Sequence, residues 1–587
     1  MNFNWLSRMF YLSKLNLGIV FIITMCILYY SFIESFWRLP KTLMALIFTI
    51  SVNVLIYLIL SLSKFYLLRF SFLLFFTIMT TISAIGKYYW QEIPKIEMIY
   101  DVVLKNFATI NNYYNWEKIL IFVILLVALL LYKISITKTE NNRTFAKVKL
   151  LLVIIIGSYS FVGWRNKISS NTSSRELLAE DPIIGPFVEK KNYGVNLSST
   201  LIENDNFYSE WNLRPGSPNI VIVNFDALRG DVFGRYIGKN AITPTFDSLI
   251  NDQNVQKMPY HISSSSSSFN GILSTLYGNN VEYLPANKIG IHHILKHHGY
   301  QTNFVLGGTH EHFMSLKKQY GNVDYYFETT MVDEFGLKGK EDDDNSIIEY
   351  LYSRKNIVSD RPQFYYFHIM APHLGAYSFD APLFEKINND ASLTIKEKSY
   401  FIGLNKADKV LQQLLNYFNI VSNNTVIYIS ADHGEGLGYH KYLPTIGHIQ
   451  QLTYESTNIP LIILDNDKSF QVCQKSTTQI DLVPSIVERC FNDSKLPDKF
   501  YSGLSIYKDP LNLRYTYHSL YMAKYADFHF AILKDSLGHY VEKYLYDPNT
   551  SKEYIFDLRK SRLENDTILN GNSEFYRNLK RNYLQKI

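Results

Sequence analysis

Cysteine is scarce in this chain. Three residues in 587 exclude a disulfide framework as the source of its stability. Cys26 falls in an apolar run. Cys473 and Cys490 flank a strand–helix segment, where pairing and free thiols are both open, and neither sits in a metal or redox motif. Charge of one sign is equally scarce. Against 58 Lys and Arg stand 53 Asp and Glu, and the net +5 is too small for this length to imply a nucleic-acid partner. Glycine (28) and proline (18) are too few for a collagen-like fibre, and 47% hydrophobic residues are too many for a disordered chain. The length predicts several domains. What abounds is aromatic: 45 Tyr and 38 Phe. A mean hydropathy of −0.06 suggests a soluble protein, but an average hides two halves with different solvents.

Residues 15–33, 42–63 and 68–86 are apolar runs near the roughly 20 residues that cross a bilayer. Residues 119–137 and 148–164 qualify once their flanks are counted, whose Lys and Arg snorkel to the interface. Five such runs leave no polar faces for water, so five transmembrane helices are expected rather than buried soluble ones. A cleaved signal peptide accounts for only one of them. Arg8 and Lys14, Lys64 and Arg69, and the lysines around Arg143 lie on one side of these spans. The loop 87–118 balances its lysines with Glu92, Glu97, Asp101 and Glu117, and its Tyr and Trp residues suit an interfacial belt. The N-terminus is therefore expected in the cytoplasm and everything after Trp164 outside. Residues 166–214, rich in Ser and Asn, read as a linker, and 215–587 as an outer domain.

In the outer domain four short apolar runs are expected strands: 219–225, 300–307, 363–369 and 425–430. Helical stretches such as 290–298 and 396–418 lie between them. This alternation predicts an α/β fold with a mostly parallel sheet, in which ligands bind at the carboxyl ends of strands. Four segments carry chemistry there. N-F-D-A-L-R-G-D (224–231) puts Asp226 directly after a strand, where it either binds a cation or caps a helix. S-A-D-H-G-E-G-L-G (430–438) puts Asp432 and His433 on a tight turn. This oxygen–nitrogen donor pair suits Zn or Mn better than Ca or Mg. His448, in I-G-H, is a third contributor or a loop residue. Y-H-I-S-S-S-S-S-S-F-N-G (260–271) is a serine tract before an apolar helix. It is a linker, an N-cap, or a hydroxyl presented at a helix N-terminus, where an anion is favoured. F-H-I-M-A-P-H (367–373) ends in His373.

Together these segments resemble the sulfatase branch of the alkaline phosphatase superfamily. Their order matches, and N-I-P-L-I-I (458–463), Q-I-D-L-V-P-S-I (479–486), G-L-S (503–505) and F-D-L…E-N (556–565) continue the likeness. The resemblance implies one divalent metal held by Asp226, Asp432 and His433. It implies a serine nucleophile, with His373 and His448 holding or protonating the transferred group. Counting back from L-Y-G (276–278) selects Ser268; Ser267 and Ser265 fit other spacings. Sulfatases form formylglycine within C/S-x-P-x-R, and S-S-F-N-G lacks that Pro and Arg. An unmodified hydroxyl and five preceding helices instead resemble lipoteichoic acid synthases and lipid A phosphoethanolamine transferases, although those use Thr. H-I-S-S…N-G-I-L-S-T-L-Y-G also resembles the PbgA/YejM inner-membrane proteins. The implied protein is a multi-pass enzyme of a bacterial inner membrane with a periplasmic domain. It would transfer phosphoryl groups or cleave phosphodiesters on a membrane lipid or envelope glycan, with envelope-biogenesis proteins as partners. A lipid-binding regulator with little turnover and a sulfuric ester hydrolase are the alternatives.

Overall fold

The computed structural model describes short helical pieces between residues 21 and 60, residues 66–90, and most of residues 208–585. Within the last stretch it leaves out 285–287, 309, 312–315, 330–343, 355–360, 374–381, 422–423, 445, 449–450, 474, 493–494, 499–500, 521–528, 548–551 and 565–572. The chain divides into two compact units, Met1–Lys191 and Asn192–Ile587. In the first, helix α1 spans Tyr66–Trp90 and contains the run 68–86. Among the described residues no helix is long and apolar enough to cross a membrane. The runs 119–137 and 148–164, most of 15–33 and 42–63, and nearly all of the linker lie outside the described residues.

The second unit is α/β. In chain order the elements used below are β1 (Asn219–Phe225), β2 (Gln256–Lys257), β3 (Tyr260–Ile262), α2 (Ser268–Tyr277), α3 (Ile291–His297), β4 (Gln301–Leu306), β5 (Tyr325–Glu328), α4 (Asn345–Ser353) and β6 (Gln363–Ile369). There follow α5 (Ile395–Val421), β7 (Thr425–Ala431), β8 (Asn458–Ile459), β9 (Ile462–Leu464), β10 (Ser476–Thr478), α6 (Leu482–Cys490), β11 (Arg514–Ser519), β12 (Phe530–Ser536), β13 (His539–Asp547), β14 (Lys552–Asp557) and α7 (Ser573–Leu584). Cys473 and Cys490 are both free thiols.

Seven strands form the main sheet in the order β2-β9-β7-β1-β6-β4-β5. From β7 to β5 every neighbour is parallel, and β9 and β2 close the other edge antiparallel. Successive strand residues point to opposite faces, and NIVIVNF is apolar on both. Ile220 and Ile222 face the layer built from α2, α3 and α6, while Val221, Val223 and Phe225 face α4 and α5. A strand covered on both sides reads as a continuous apolar run, as this one does. A separate antiparallel meander, β11-β12-β13-β14, carries α7, whose Tyr576 and Tyr583 pack on Phe530, Ile532 and Tyr544.

Candidate active site

Strands β7, β1 and β6 are neighbours and end at one edge. Their ladder continues past the strand ends. Asp226 N–H donates to the Ile369 carbonyl at 2.8 Å, and Asp432 N–H donates to the Phe225 carbonyl at 3.1 Å. Both aspartates are thereby fixed side by side, and both are buried, as is His433. His433 Nε2 lies 3.6 Å from Asp226 Oδ1 and 3.7 Å from Asp432 Oδ2. One ligand atom from each of the three falls within 4.8 Å of the others.

The serine tract is no flexible linker. Ser263 to Ser268 are all buried, none more than 7% exposed. Strand β3, which leads into the tract, pairs with β8 and β10. Ser264 N–H donates to Gln479 Oε1 at 2.8 Å, and Gln479 Nε2 donates to the Ala431 and Asp432 carbonyls. One amide side chain thus ties the tract to the end of β7. Ser267 has extended backbone (φ −135°, ψ 133°) and is the N-cap of α2, without a side-chain capping bond. Ser268 is the first helical residue, and its Oγ lies 3.0 Å from His433 Nε2. Ser265 Oγ instead accepts from Asn270 Nδ2 at 3.3 Å. Gly271 permits the close approach of α2: a Cβ there would stand 2.1 Å from the Asp432 carbonyl oxygen. The helix stops at Gly278, whose φ of 63° suits a residue without Cβ.

A second donor group adjoins the first. One ligand atom each from His373, Glu435 and His448 falls within 4.8 Å of the others. His448 Nδ1 and Glu435 Oε2 are 3.0 Å apart. The His448 ring stacks on His433 at 4.4 Å and meets His373 edge-on at 4.6 Å. His373 Nδ1 stands 4.0 Å from Asp226 Oδ2. Arg229, paired with Asp231 at 2.7 Å, donates to the Glu435 carbonyl and so steadies the turn that carries Asp432 and His433.

Burial raises the Asp226 carboxyl well above its usual range, Asp432 adds to this, and Ser268 opposes it. Burial also pushes Asp432 up, but His433 and His368 outweigh it and hold Asp432 below its usual value. Burial lowers His433, takes His373 to about 3 and His448 to about 4, and raises Glu435. Facing carboxylates among neutral imidazoles are costly away from water unless a cation joins them. Asp226 Oδ1 and His373 Nδ1 are buried without a hydrogen-bond partner. These orphaned lone pairs, in a mixed oxygen and nitrogen donor set, fit a divalent transition metal better than an ion that prefers oxygen alone.

The sequence candidates Asp226, Ser268, His373, Asp432, His433 and His448 therefore meet in one place, with Ser267 as the cap of the helix that presents Ser268. Sequence reasoning did not single out Glu435, His368, His310 or Gln479. The first two stand inside motifs already read, D-H-G-E and F-H-I-M-A-P-H. Gln479 opens the Q-I-D-L segment. His310, in a T-H-E-H loop, gives no sequence signal.

Residues 218–490 match the family model described as Sulfatase. A relative named "Ulvan-active sulfatase", from Formosa agariphila, is 24% identical over 333 residues, which cover 48% of this chain and 63% of the relative. The chain thus spans less than two thirds of that relative's length. Among solved structures, a Bacteroides thetaiotaomicron glycosaminoglycan-locus protein (BT33494S-sulf) is 15% identical, with TM-score 0.46 over 61% of this chain and 94% of its own. The zinc complex of the EcEptC periplasmic domain from Escherichia coli is 16% identical, with TM-score 0.39 over 48% and 84%. The phosphonate monoester hydrolase of Agrobacterium radiobacter is 15% identical, with TM-score 0.43 over 63% and 94%.

Proposed function

We propose that the outer domain cleaves or transfers a phosphoester through Ser268. One observation carries this reading: the Ser268 hydroxyl stands 3.0 Å from His433 Nε2, at a helix N-terminus beside two buried aspartates. Asp226, Asp432 and His433 would hold a divalent metal, whose Lewis acidity, when bound, lowers the hydroxyl pKa and polarises the phosphoryl oxygen. Ser268 loses its proton to solvent, and its oxygen forms the bond to phosphorus as the bond to the leaving alkoxide breaks. His373 is neutral in the empty pocket, but an arriving phosphoryl anion favours its charged form. His373 takes up a proton with the substrate and gives it to the leaving oxygen. The α2 N-terminus and His448 hold the anion meanwhile. Water or a second alcohol then attacks phosphorus and frees Ser268.

The substrate is a membrane lipid or an envelope glycan, and the apolar N-terminal runs anchor the chain in a bacterial inner membrane with the domain outside. The anchor rests on the five apolar sequence runs and their flanking Lys and Arg. A test uses the purified full chain, its divalent metal content, and bis(p-nitrophenyl) phosphate. Turnover that requires metal and is lost in Asp432→Ala supports the reading. A chain that binds no divalent metal, with cleavage unchanged in Asp432→Ala, overturns it.

The name of the 24% identical relative favours a second reading, sulfate-ester hydrolysis. Ser268 is followed by F-N-G-I, without the Pro and Arg expected for formylglycine. Mass spectrometry of the serine tract separates the two, because only the sulfatase reading predicts an aldehyde there.

A further inference from the structure

Asp432 is served by a buried hydrogen-bond chain that comes from the far edge of the main sheet. His368, on β6, places Nε2 3.3 Å from Asp432 Oδ2. Its Nδ1 lies 3.2 Å from His310 Nε2, and His310 Nδ1 lies 2.6 Å from the Tyr320 hydroxyl. His310, His368 and Tyr320 are each at most 3% exposed. His310 is pinned in turn from β5, where Glu328 Oε2 accepts its backbone N–H at 2.8 Å and the Tyr326 hydroxyl at 2.6 Å.

One placement of protons satisfies every link with neutral rings. The Tyr320 hydroxyl donates to His310 Nδ1, His310 Nε2–H to His368 Nδ1, and His368 Nε2–H to Asp432 Oδ2. Each donor points toward the carboxylate, and in such chains the bonds polarise one another. The other carboxylate oxygen is already full, since Asp432 Oδ1 accepts the Ala227 and His433 backbone N–H groups at 3.1 and 2.7 Å. Three of the four lone-pair sites are thus occupied by fixed donors. One site on Oδ2 is left.

We infer that Tyr320, His310 and His368 are positioning residues that orient Asp432 and keep its one remaining lone pair aimed at the divalent metal. This rests on the metal site proposed above. Outer groups of this kind typically change metal affinity 10- to 100-fold. Among the described residues His310 reaches Asp432 through His368, so its loss acts on the metal and not on the substrate.

The test uses the purified full chain, Zn²⁺ affinity by chelator competition, and kinetics on bis(p-nitrophenyl) phosphate at saturating Zn²⁺. His310→Phe keeps the ring volume and removes both nitrogens. It should weaken Zn²⁺ binding roughly 10- to 100-fold and lower kcat, with KM within about twofold. His310→Gln keeps an acceptor toward Tyr320 and a donor toward His368, and should recover most of the affinity. Tyr320→Phe, which removes one oxygen from the end of the chain, should fall between them and decides the matter if His310→Phe does not fold. Zn²⁺ affinity within twofold of wild type in all three overturns the inference while leaving the metal site standing, provided Asp432→Ala still loses the metal. Equal losses in His310→Gln and His310→Phe also overturn it, because packing alone would then explain both. A wild-type chain that binds no Zn²⁺ overturns this inference and the proposed function together.

Discussion

Removing one oxygen, Ser268→Ala, leaves the fold intact and takes away the group that bonds to phosphorus. Turnover should fall by at least about a thousandfold, the scale seen when a covalent nucleophile is lost. Ser267→Ala should stay within about tenfold, because that hydroxyl makes no capping bond and the residue serves as the helix cap. Steady-state rates of the two variants separate them, and the reverse order would move the nucleophile to Ser267. At this scale the sequence was informative wherever a residue stood in a motif. Asp226, Asp432 and His433 follow strands directly, so strand geometry alone sends them to one edge. A run of six serines resists such reading. Neighbours differ by one residue of identical chemistry, and only the seating of α2 against β7 shows which hydroxyl meets His433. His310 was illegible for the opposite reason: it reaches the site through another side chain.

At the scale of elements, the close approach of α2 to β7 is what places Ser268. Gly271→Ala would set a methyl 2.1 Å from the Asp432 carbonyl, a contact with backbone that cannot swing aside. Helix or strand must shift, at a cost of about 1–3 kcal/mol. The variant should have a lower thermal midpoint and weaker metal binding together. An unchanged metal affinity would show that the helix seat does not matter to the ligands. The C-terminal meander acts on the site from another direction. Lys543 on β13 pairs with Glu564 at 2.5 Å, and Glu564 Oε2 lies 3.0 Å from His440 Nε2, all three buried. His440 Nδ1 accepts the Tyr442 and Leu443 backbone N–H groups, which shapes the loop between Glu435 and His448. Glu564→Ala strands a buried ammonium and should cost about 3–5 kcal/mol, read as a loss of denaturation midpoint. The central strands were legible to within a residue or so, because apolar runs covered on both faces leave a plain trace. The meander was not, since β11 to β14 mix charged and tyrosine residues and face partly outward.

For the whole molecule, the aromatic excess has a structural use in the second unit. Tyr544 stacks on Tyr576 at 5.3 Å, Tyr517 on Tyr583 at 4.5 Å, and Phe327 on Tyr350 at 4.2 Å. Tyrosine lets an apolar ring be buried while its hydroxyl reaches a partner, as Tyr583 does with Glu282 at 2.7 Å. Histidines shielded from water add an acid-sensitive part to the stability. Burial holds His261 and His518 at about 3 and His293 at about 4. Below the ordinary histidine value near 6.5 the unfolded chain binds protons that these folded residues do not. Their contribution to stability is therefore fully present above about pH 6.5 and falls as pH drops toward 4. Each residue contributes a slope of up to about 1.4 kcal/mol per pH unit. Denaturation midpoints between pH 7 and 5 check this, and a flat profile would contradict it. The near-zero mean hydropathy fits a chain whose apolar runs gather before residue 165 and whose polar, tyrosine-rich unit follows.

The most direct test of the proposed chemistry is peptide mass spectrometry of the full chain, acid-quenched during turnover of a phosphodiester in the presence of divalent metal. A phosphoryl group on Ser268, absent from Asp432→Ala, is the predicted result. Turnover with Ser268 unmodified throughout, a phosphoryl group on another residue, or an aldehyde in the serine tract would contradict it.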